Sequence, residues 1–200
     1  MKGIDVSAHN ENINWRRVHD AGIDFAIVRT GAGLSIQDDF KNTVYAAKEA
    51  GLLVGAYHYS YALTPKRAVE EALFCRQIID DAGMLLELPV WFDMEDADGY
   101  KERHGFVFSR RNVTAICKAF LDTIGLKAGV YASYDWFERL IDWQALGCAV
   151  WNAQWSKNDY LQGMMWQFTD RLIIDGKSYD GNIIYDRLHK AGCDPWGLKL

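Results

Sequence analysis

Short apolar runs alternate with segments whose apolar residues recur at helical spacing, starting almost at the first residue. Residues 3–6 read as a strand ending near Asp5. Asn14 then caps a turn or two of helix with Trp15, Val18 and Ala21 on one face, stopped by Gly22. Residues 24–29 (DFAIVR) form a second apolar strand, and Phe40, Val44 and Ala47 mark a helix over residues 39–50 before Gly51. A third strand spans residues 52–61 (LLVGAYHYSY). Thr64 and Pro65 supply an N-cap and a first-turn proline, opening a helix that runs to Ala82. After a short strand at 89–92, residues 109–124 carry Val113, Ile116, Cys117, Phe120 and Ile124 at helical spacing, with Gly125 as the stop. A fifth strand at 127–131 (KAGVY) precedes room for one short helix within 133–146 and a further strand at 148–151 (CAVW).

Beyond Trp151 the spacing shortens. No helical pattern separates it from the next apolar run at 164–168, although a parallel crossover ordinarily needs a dozen or more residues, usually helical. Loops or hairpins are therefore expected between the last strands. Strand–helix units followed by loop-linked strands predict an α/β fold, a closed TIM-like barrel whose final helices have been lost. One domain over residues 1–192 accounts for the pattern, leaving 193–200, with Pro195 and Gly197, as a tail or the start of a linker.

The stretch 89–96 (PVWFDMED) turns abruptly from apolar to acidic. Strand side chains alternate, so Asp93 and Glu95 share a face, with Cα atoms about 6 to 7 Å apart. Two carboxyls crowded against apolar neighbours titrate differently, one keeping its proton while the other ionises, and glycoside hydrolysis requires that division. The plain alternative is that the acids only terminate the strand or accept helix N-terminal amides.

Composition narrows the function. With a net charge of -5 and 200 residues, the chain lacks the basic stripe of a nucleic-acid binder. Eight tryptophans, ten tyrosines and nine phenylalanines exceed what a core of this size needs, and aromatic faces also suit sugar rings, although a large aromatic core is the simplest account of most of them. Cys75, Cys117, Cys148 and Cys193 are irregularly spaced and make no zinc motif; Cys117 and Cys148 read as buried thiols. No run reaches membrane-spanning length, and the first residues enter a strand with no signal-peptide apolar region. The expectation is a soluble chain, either released without such a peptide or trimmed of one. An EF-hand loop starting at Asp93 fails, because Asp98 falls where glycine is needed and His104 where glutamate is needed, so no catalytic metal or other cofactor is expected. His9 and His58 read as structural or substrate hydrogen-bonding groups.

In a parallel barrel the carboxyl ends of the strands meet on one face. Asp5, Asp93 and Glu95 end strands, and Asp180, in SYDGN, lies by a late one, so four acids are expected to share the mouth. Tyr57, Tyr59, Tyr61, Tyr131, Trp151, Trp155, Trp166 and Gln167 fall at comparable strand ends and suggest a polysaccharide groove, with Tyr59 and Trp166 the preferred sugar contacts. Phe25, Phe40, Phe120 and Trp136 read as core. Arg29, a charge in an apolar strand, is expected to pair with one of the site acids, against the alternative of a solvated strand end.

Seven segments in order carry a resemblance: GIDVSAHN (3–10), AGIDFAIVR (21–29), GAYHY (55–59), VWFDMED (90–96), GVYAS (129–133), AQW (153–155) and MWQF (165–168). Together they resemble family 25 glycoside hydrolases, the Chalaropsis-type lysozymes. The resemblance implies a (β/α)5(β)3 barrel that cleaves the β-1,4 bond between N-acetylmuramic acid and N-acetylglucosamine in bacterial peptidoglycan. It implies Glu95 as acid/base and Asp93 as either nucleophile or orienting group for a participating 2-acetamido group. By the same resemblance, Asp5 and Asp180 would hold substrate or water and tune the pair. Substrate contacts are expected from Tyr57, Tyr59, Arg29, Tyr131, Trp151, Trp166 and Gln167. The family pattern places an apolar residue before Asp-x-Asn, whereas Tyr179 stands there here, and Asp175 and Asp186 offer competing registers for Asp180. A monomer acting outside the cell or on the cell wall is expected, as a phage, autolysin or secreted enzyme. A non-catalytic peptidoglycan-binding barrel and a chitinase-like glycosidase are the alternatives.

Overall fold

A computed structural model of the chain describes residues 1–37 and 39–185. The elements, in order, are β1 (Lys2–Val6), α1 (Trp15–Asp20), β2 (Phe25–Ala32), β3 (Ser35–Ile36), α2 (Phe40–Glu49), β4 (Leu53–Tyr59), α3 (Pro65–Ala82), β5 (Val90–Asp93), α4 (Tyr100–Arg103), α5 (Arg110–Ile124), β6 (Ala128–Ser133), α6 (Tyr134–Arg139), α7 (Trp143–Leu146), β7 (Ala149–Ala153), β8 (Met165–Ile174) and β9 (Lys177–Ile184). The sheet order β1-β9-β8-β7-β6-β5-β4-β2 closes through a β1–β2 pairing, and β3 hangs on β2 outside the ring. Pairings from β1 through β2, β4, β5, β6 and β7 to β8 are parallel; β9 is antiparallel to both β8 and β1. Helices follow β1, β2, β4, β5 and β6, and none lies between β7, β8 and β9. This is the (β/α)5(β)3 barrel.

Alternation along each strand builds two cores. Outward residues such as Ile4, Val28, Val54, Phe92, Val130 and Val150 pack beneath the helices, joined by Val44, Ile78, Ile116 and Phe120 from the helices themselves. Phe92 and Phe120 stack with centroids 4.2 Å apart. Inward residues Phe25, Ile27, Trp91, Trp151, Met165 and Ile184 fill the barrel interior. So many large rings fit because glycine faces them: a Cβ on Gly129 would sit 2.5 Å from the Trp91 ring and 2.7 Å from the Ala149 carbonyl oxygen.

Several details depart from the sequence expectation. The last two strands form a hairpin longer than the run at 164–168 suggested, turning at Asp175 (φ 50) and Gly176 (φ 75), the pair of left-handed residues that a two-residue hairpin turn demands. Two helices, α6 and α7, occupy the stretch expected to hold one, and α4 was not anticipated. Thiols at Cys75 and Cys117 are buried, but Cys148 is only partly so. Cys193, Asp186 and the proposed tail lie outside the described residues. No described helix is long and apolar enough to cross a membrane.

Candidate active site

The barrel's own geometry assembles the acids. Asp5 ends β1 on its inner face, and Asp180 lies opposite it in the antiparallel β1–β9 pair, so the two side chains share the inner face. β9 runs against its neighbours, which brings its first half to the mouth where the other strands finish. Of the described candidates, Asp175 occupies the hairpin turn, and Asp180 lies across from Asp5. Asp93 ends β5 between Tyr59 of β4 and Tyr131 of β6, and Glu95 follows two residues later, half-buried.

Asp5 is held tightly. Its Oδ2 accepts from Asn182 Nδ2 at 2.7 Å and from Gln167 Nε2 at 3.0 Å. Both amides are themselves fixed: Asn182 Oδ1 accepts from Trp151 Nε1 (2.8 Å), and Gln167 Oε1 from Tyr131 Oη (3.1 Å) and Trp155 Nε1 (3.2 Å). Burial and the neighbouring Asp180 nonetheless push the Asp5 carboxyl up to about 7. Asp180 is also raised, first by burial and then by Asp170.

Asp93 is 5% exposed, and its Oδ1 has no hydrogen-bond partner among the described residues. Burial raises its carboxyl well above the ordinary range and the charge of Glu95 adds to this, while Lys101 and Arg29 pull it down. Burial raises Glu95 as well, opposed by Lys101. Beneath the pair, Trp151 packs edge-on against Trp91 (5.6 Å), Tyr131 (4.6 Å) and Tyr57 (6.3 Å), making an aromatic floor.

The expected substrate contacts separate into groups. Tyr57, Tyr131 and Gln167 face inward near the acids, and Tyr59 adjoins Asp93. Trp151 is 1% exposed and serves the floor and Asn182 rather than the groove. Trp166 alternates with inward Met165 and Gln167, so it lies on the outer face, where its Nε1 donates to Gln154 O (2.8 Å) and its ring meets Phe168. Trp155, just beyond the end of β7, is 61% exposed and donates to Gln167. Arg29 Nε donates to Gln37 Oε1 (2.9 Å) and not to a site carboxylate, although its charge still reaches Asp93. His58 is buried outside the barrel between Thr30 Oγ1 (2.8 Å) and Gly33 O (2.9 Å), a structural role. His9 is exposed near the mouth.

Three features escaped the sequence reading. Asn182 stood in the Asp-x-Asn motif without a role and proves to be the shortest contact to Asp5. Lys101 sits in a polar run that carries no sign of burial, yet it is completely buried. Trp136, read as core, does pack partly buried against the outer core but also lines a cleft of about 570 Å³ with Glu95, Phe108, Ser133 and Arg139. Asp96 and Asp98 are spent on backbone amides of α4 and on Tyr61 Oη. A larger, mainly apolar cleft of about 1010 Å³ lies at the opposite barrel end, lined by Leu53, Met84, Leu86 and Leu126. Its carboxylates, Asp80 and Glu87, pair with Arg76 and Lys48.

An α/β barrel with paired carboxyl groups at its strand ends, above an aromatic floor, fits the carbohydrate-hydrolase class of barrel. The match to glycosyl hydrolases family 25 runs over residues 4–177, taking in Asp5, Asp93 and Glu95 and stopping three positions before Asp180. The chain belongs to that family. It is 27% identical over 186 residues to the uncharacterized protein YegX of Escherichia coli K12, covering 88% of this chain and 65% of that protein. It is 24% identical over 147 residues to the N,O-diacetylmuramidase of Arthroderma benhamiae, covering 69% and 60% of the two chains. Its fold matches the modular autolysin LytC of Streptococcus pneumoniae, solved with a synthetic peptidoglycan ligand, at a TM-score of 0.83 and 21% identity, over 92% of this chain and 46% of that one. The chain thus spans about two thirds of YegX and about half of LytC.

Proposed function

We propose that the protein is a peptidoglycan hydrolase of the muramidase type, with Glu95 as acid/base and Asp93 acting on the 2-acetamido group of the sugar at the cleaved bond. The observation that carries this reading is Asp93 Oδ1, a buried carboxylate oxygen at the mouth with no donor among the described residues. A buried acceptor of this kind suits a ligand N–H, and an acetamido group supplies one. The choice of peptidoglycan is supported by the muramidase relative and by the peptidoglycan ligand bound to LytC.

Burial raises both carboxyls and the charge of Glu95 raises Asp93 further, so ionising one opposes ionising the other, and in this reading the pair carries one proton. An acetamido N–H donated to Asp93 favours its charged form and leaves the proton on Glu95, where the leaving oxygen needs it. The polarised acetamido oxygen then attacks the anomeric carbon, Glu95 donates its proton to the departing sugar, and water later enters with Glu95 as base. Asp5 and Asp180 orient substrate or water and keep negative charge beside the pair. Direct attack by Asp93 predicts a covalent glycosyl-enzyme detectable by mass. Participation of the acetamido group predicts no such adduct and inhibition by a thiazoline mimic of the cyclised sugar.

In this reading residues 1–192 form a catalytic unit that works as a single chain on the cell wall, outside the cytoplasm. The test is reducing-end release from purified cell wall: Glu95→Gln is expected to lower it by about 10²–10⁴-fold with fold intact. Full activity of that variant would remove Glu95 from the chemistry. Binding of the wild-type protein to wall without new reducing ends would instead identify a binding barrel.

A further inference from the structure

Lys101 is among the largest side chains in the protein with no exposed surface. Burying an ammonium group is costly unless its protons find acceptors. Its hydrogen bonds go to two main-chain carbonyls rather than to a carboxylate: Ser60 O at 2.5 Å and Glu95 O at 2.6 Å. Ser60 immediately follows β4, and Glu95 is the proposed donor, so one side chain ties the two strand ends together beside Asp93. The ammonium also lies 5.8 Å from the Tyr59 ring centroid.

The local sequence is arranged to deliver this group. Gly99, at φ 67, turns the chain into α4. Asp96 accepts from the backbone amides of Lys101 (2.6 Å) and Glu102 (3.0 Å), capping that short helix. The loop from Glu95 to Lys101 therefore closes on itself, with the side chain of its last residue gripping the backbone of its first. Asp93, Asp96, Glu71 and Glu95 are the carboxylates that act most strongly on Lys101, and Asp98 also feels its charge. Of these, Asp96 is occupied by α4, and Glu71 is buried on α3 and bonded to Ser60 Oγ (2.8 Å) and Tyr61 N (3.0 Å).

We propose that Lys101 is a positioning residue for the proton donor: its buried ammonium fixes the Glu95 backbone against the end of β4 and supplies the positive charge that lets the Asp93–Glu95 pair carry one negative charge. This rests on the reading of Glu95 as acid/base.

Two neutral variants test it. Lys101→Met removes charge and donors, and Lys101→Gln removes the charge while keeping N–H groups for the carbonyls. With wild-type circular dichroism, each is expected to lose kcat by about 10²-fold with KM within about threefold, since a displacement of 1 Å at a reacting group has that effect. The acid limb of the kcat/KM profile moves up by about one pH unit, because the pair ionises less readily without the cation. A folded neutral variant with wild-type kcat and profile overturns the proposal. A measurement on the unmutated protein stands if neither variant folds. The side-chain nitrogen of Lys101, followed by NMR, is expected to be shielded from water exchange and to shift with the same midpoints as the Glu95 carboxyl carbon. A freely exchanging signal indifferent to that titration overturns it. A fully active Glu95→Gln sinks the underlying reading, whereas an inactive Glu95→Gln beside a wild-type-like Lys101→Met sinks this inference alone.

Discussion

Replacing Asp5 with asparagine converts the site's electrostatics into a stability measurement. Asp5 is 7% exposed, and its carboxyl is raised from 3.8 to about 7, first by burial and then by Asp180, against the opposing hydrogen bonds of Asn182 and Gln167. A carboxyl whose folded value lies above its unfolded value binds its proton more tightly in the folded state. The stability this contributes is full below about pH 4 and is lost as pH rises through about 7. Between about pH 5 and about pH 8 the loss comes to roughly 2–3 kcal/mol. The substituted side chain has no such proton, while its amide oxygen still accepts from Asn182 and Gln167 and its amide nitrogen faces Asp180. Thermal unfolding at the two pH values is the assay. At roughly 2–4 °C per kcal/mol for a chain of this size, Asp5→Asn should gain about 5–10 °C relative to wild type on moving from the lower to the higher pH. Asp180→Asn should flatten the wild-type slope as well, because it removes the second-largest cause of the shift. A difference between Asp5→Asn and wild type that stays constant to within about 2 °C across that range would refute the reasoning, since the acid would then titrate alike folded and unfolded.

Two further predictions concern the barrel floor and the groove. Gly129→Ala places a methyl group against the Trp91 ring and against the Ala149 main-chain oxygen, which cannot swing away, and should lower stability by about 1–3 kcal/mol in a denaturant titration. Trp155→Ala should raise KM on soluble glycan chains by about 3–10-fold with little change in kcat or melting temperature, as expected for loss of an exposed aromatic contact worth about 0.5–1.5 kcal/mol.

The parts of this site that were readable beforehand are those that strand parity and barrel direction control. Asp5 and Asp93 lie at the ends of parallel strands, so their meeting at the mouth follows from alternation and from the rule that such strands open on one face, and Glu95 follows two residues beyond the end of β5. Asp180 was readable only as part of a motif, because its arrival depends on β9 running backwards through the Asp175–Gly176 turn. Parity also explains the misplaced aromatics. Trp166 and Gln167 are adjacent on one strand and cannot both face inward, and the hydrogen bond from Gln167 to Asp5 decides between them. Trp136 occupies a short helix at the mouth, where an amphipathic pattern does not distinguish the protein core from a cleft. Arg29 illustrates a different limit. A cation in an apolar strand needs a partner, but a neutral amide, Gln37, which also accepts from Ala8 N (2.9 Å), meets that need from outside the acid cluster. Lys101 left no trace at all, since burial of its ammonium is arranged by loop backbone carbonyls rather than by a sequence pattern.

The central claim is that this barrel cleaves the muramyl bond through Glu95. Mass analysis of the fragments released from purified peptidoglycan, before and after borohydride reduction, tests it most directly. The account predicts wild-type products whose new reducing end is N-acetylmuramic acid, and their disappearance with Glu95→Gln. Products ending in N-acetylglucosamine, faster release from chitin oligosaccharides, or an unchanged pattern with Glu95→Gln would contradict it.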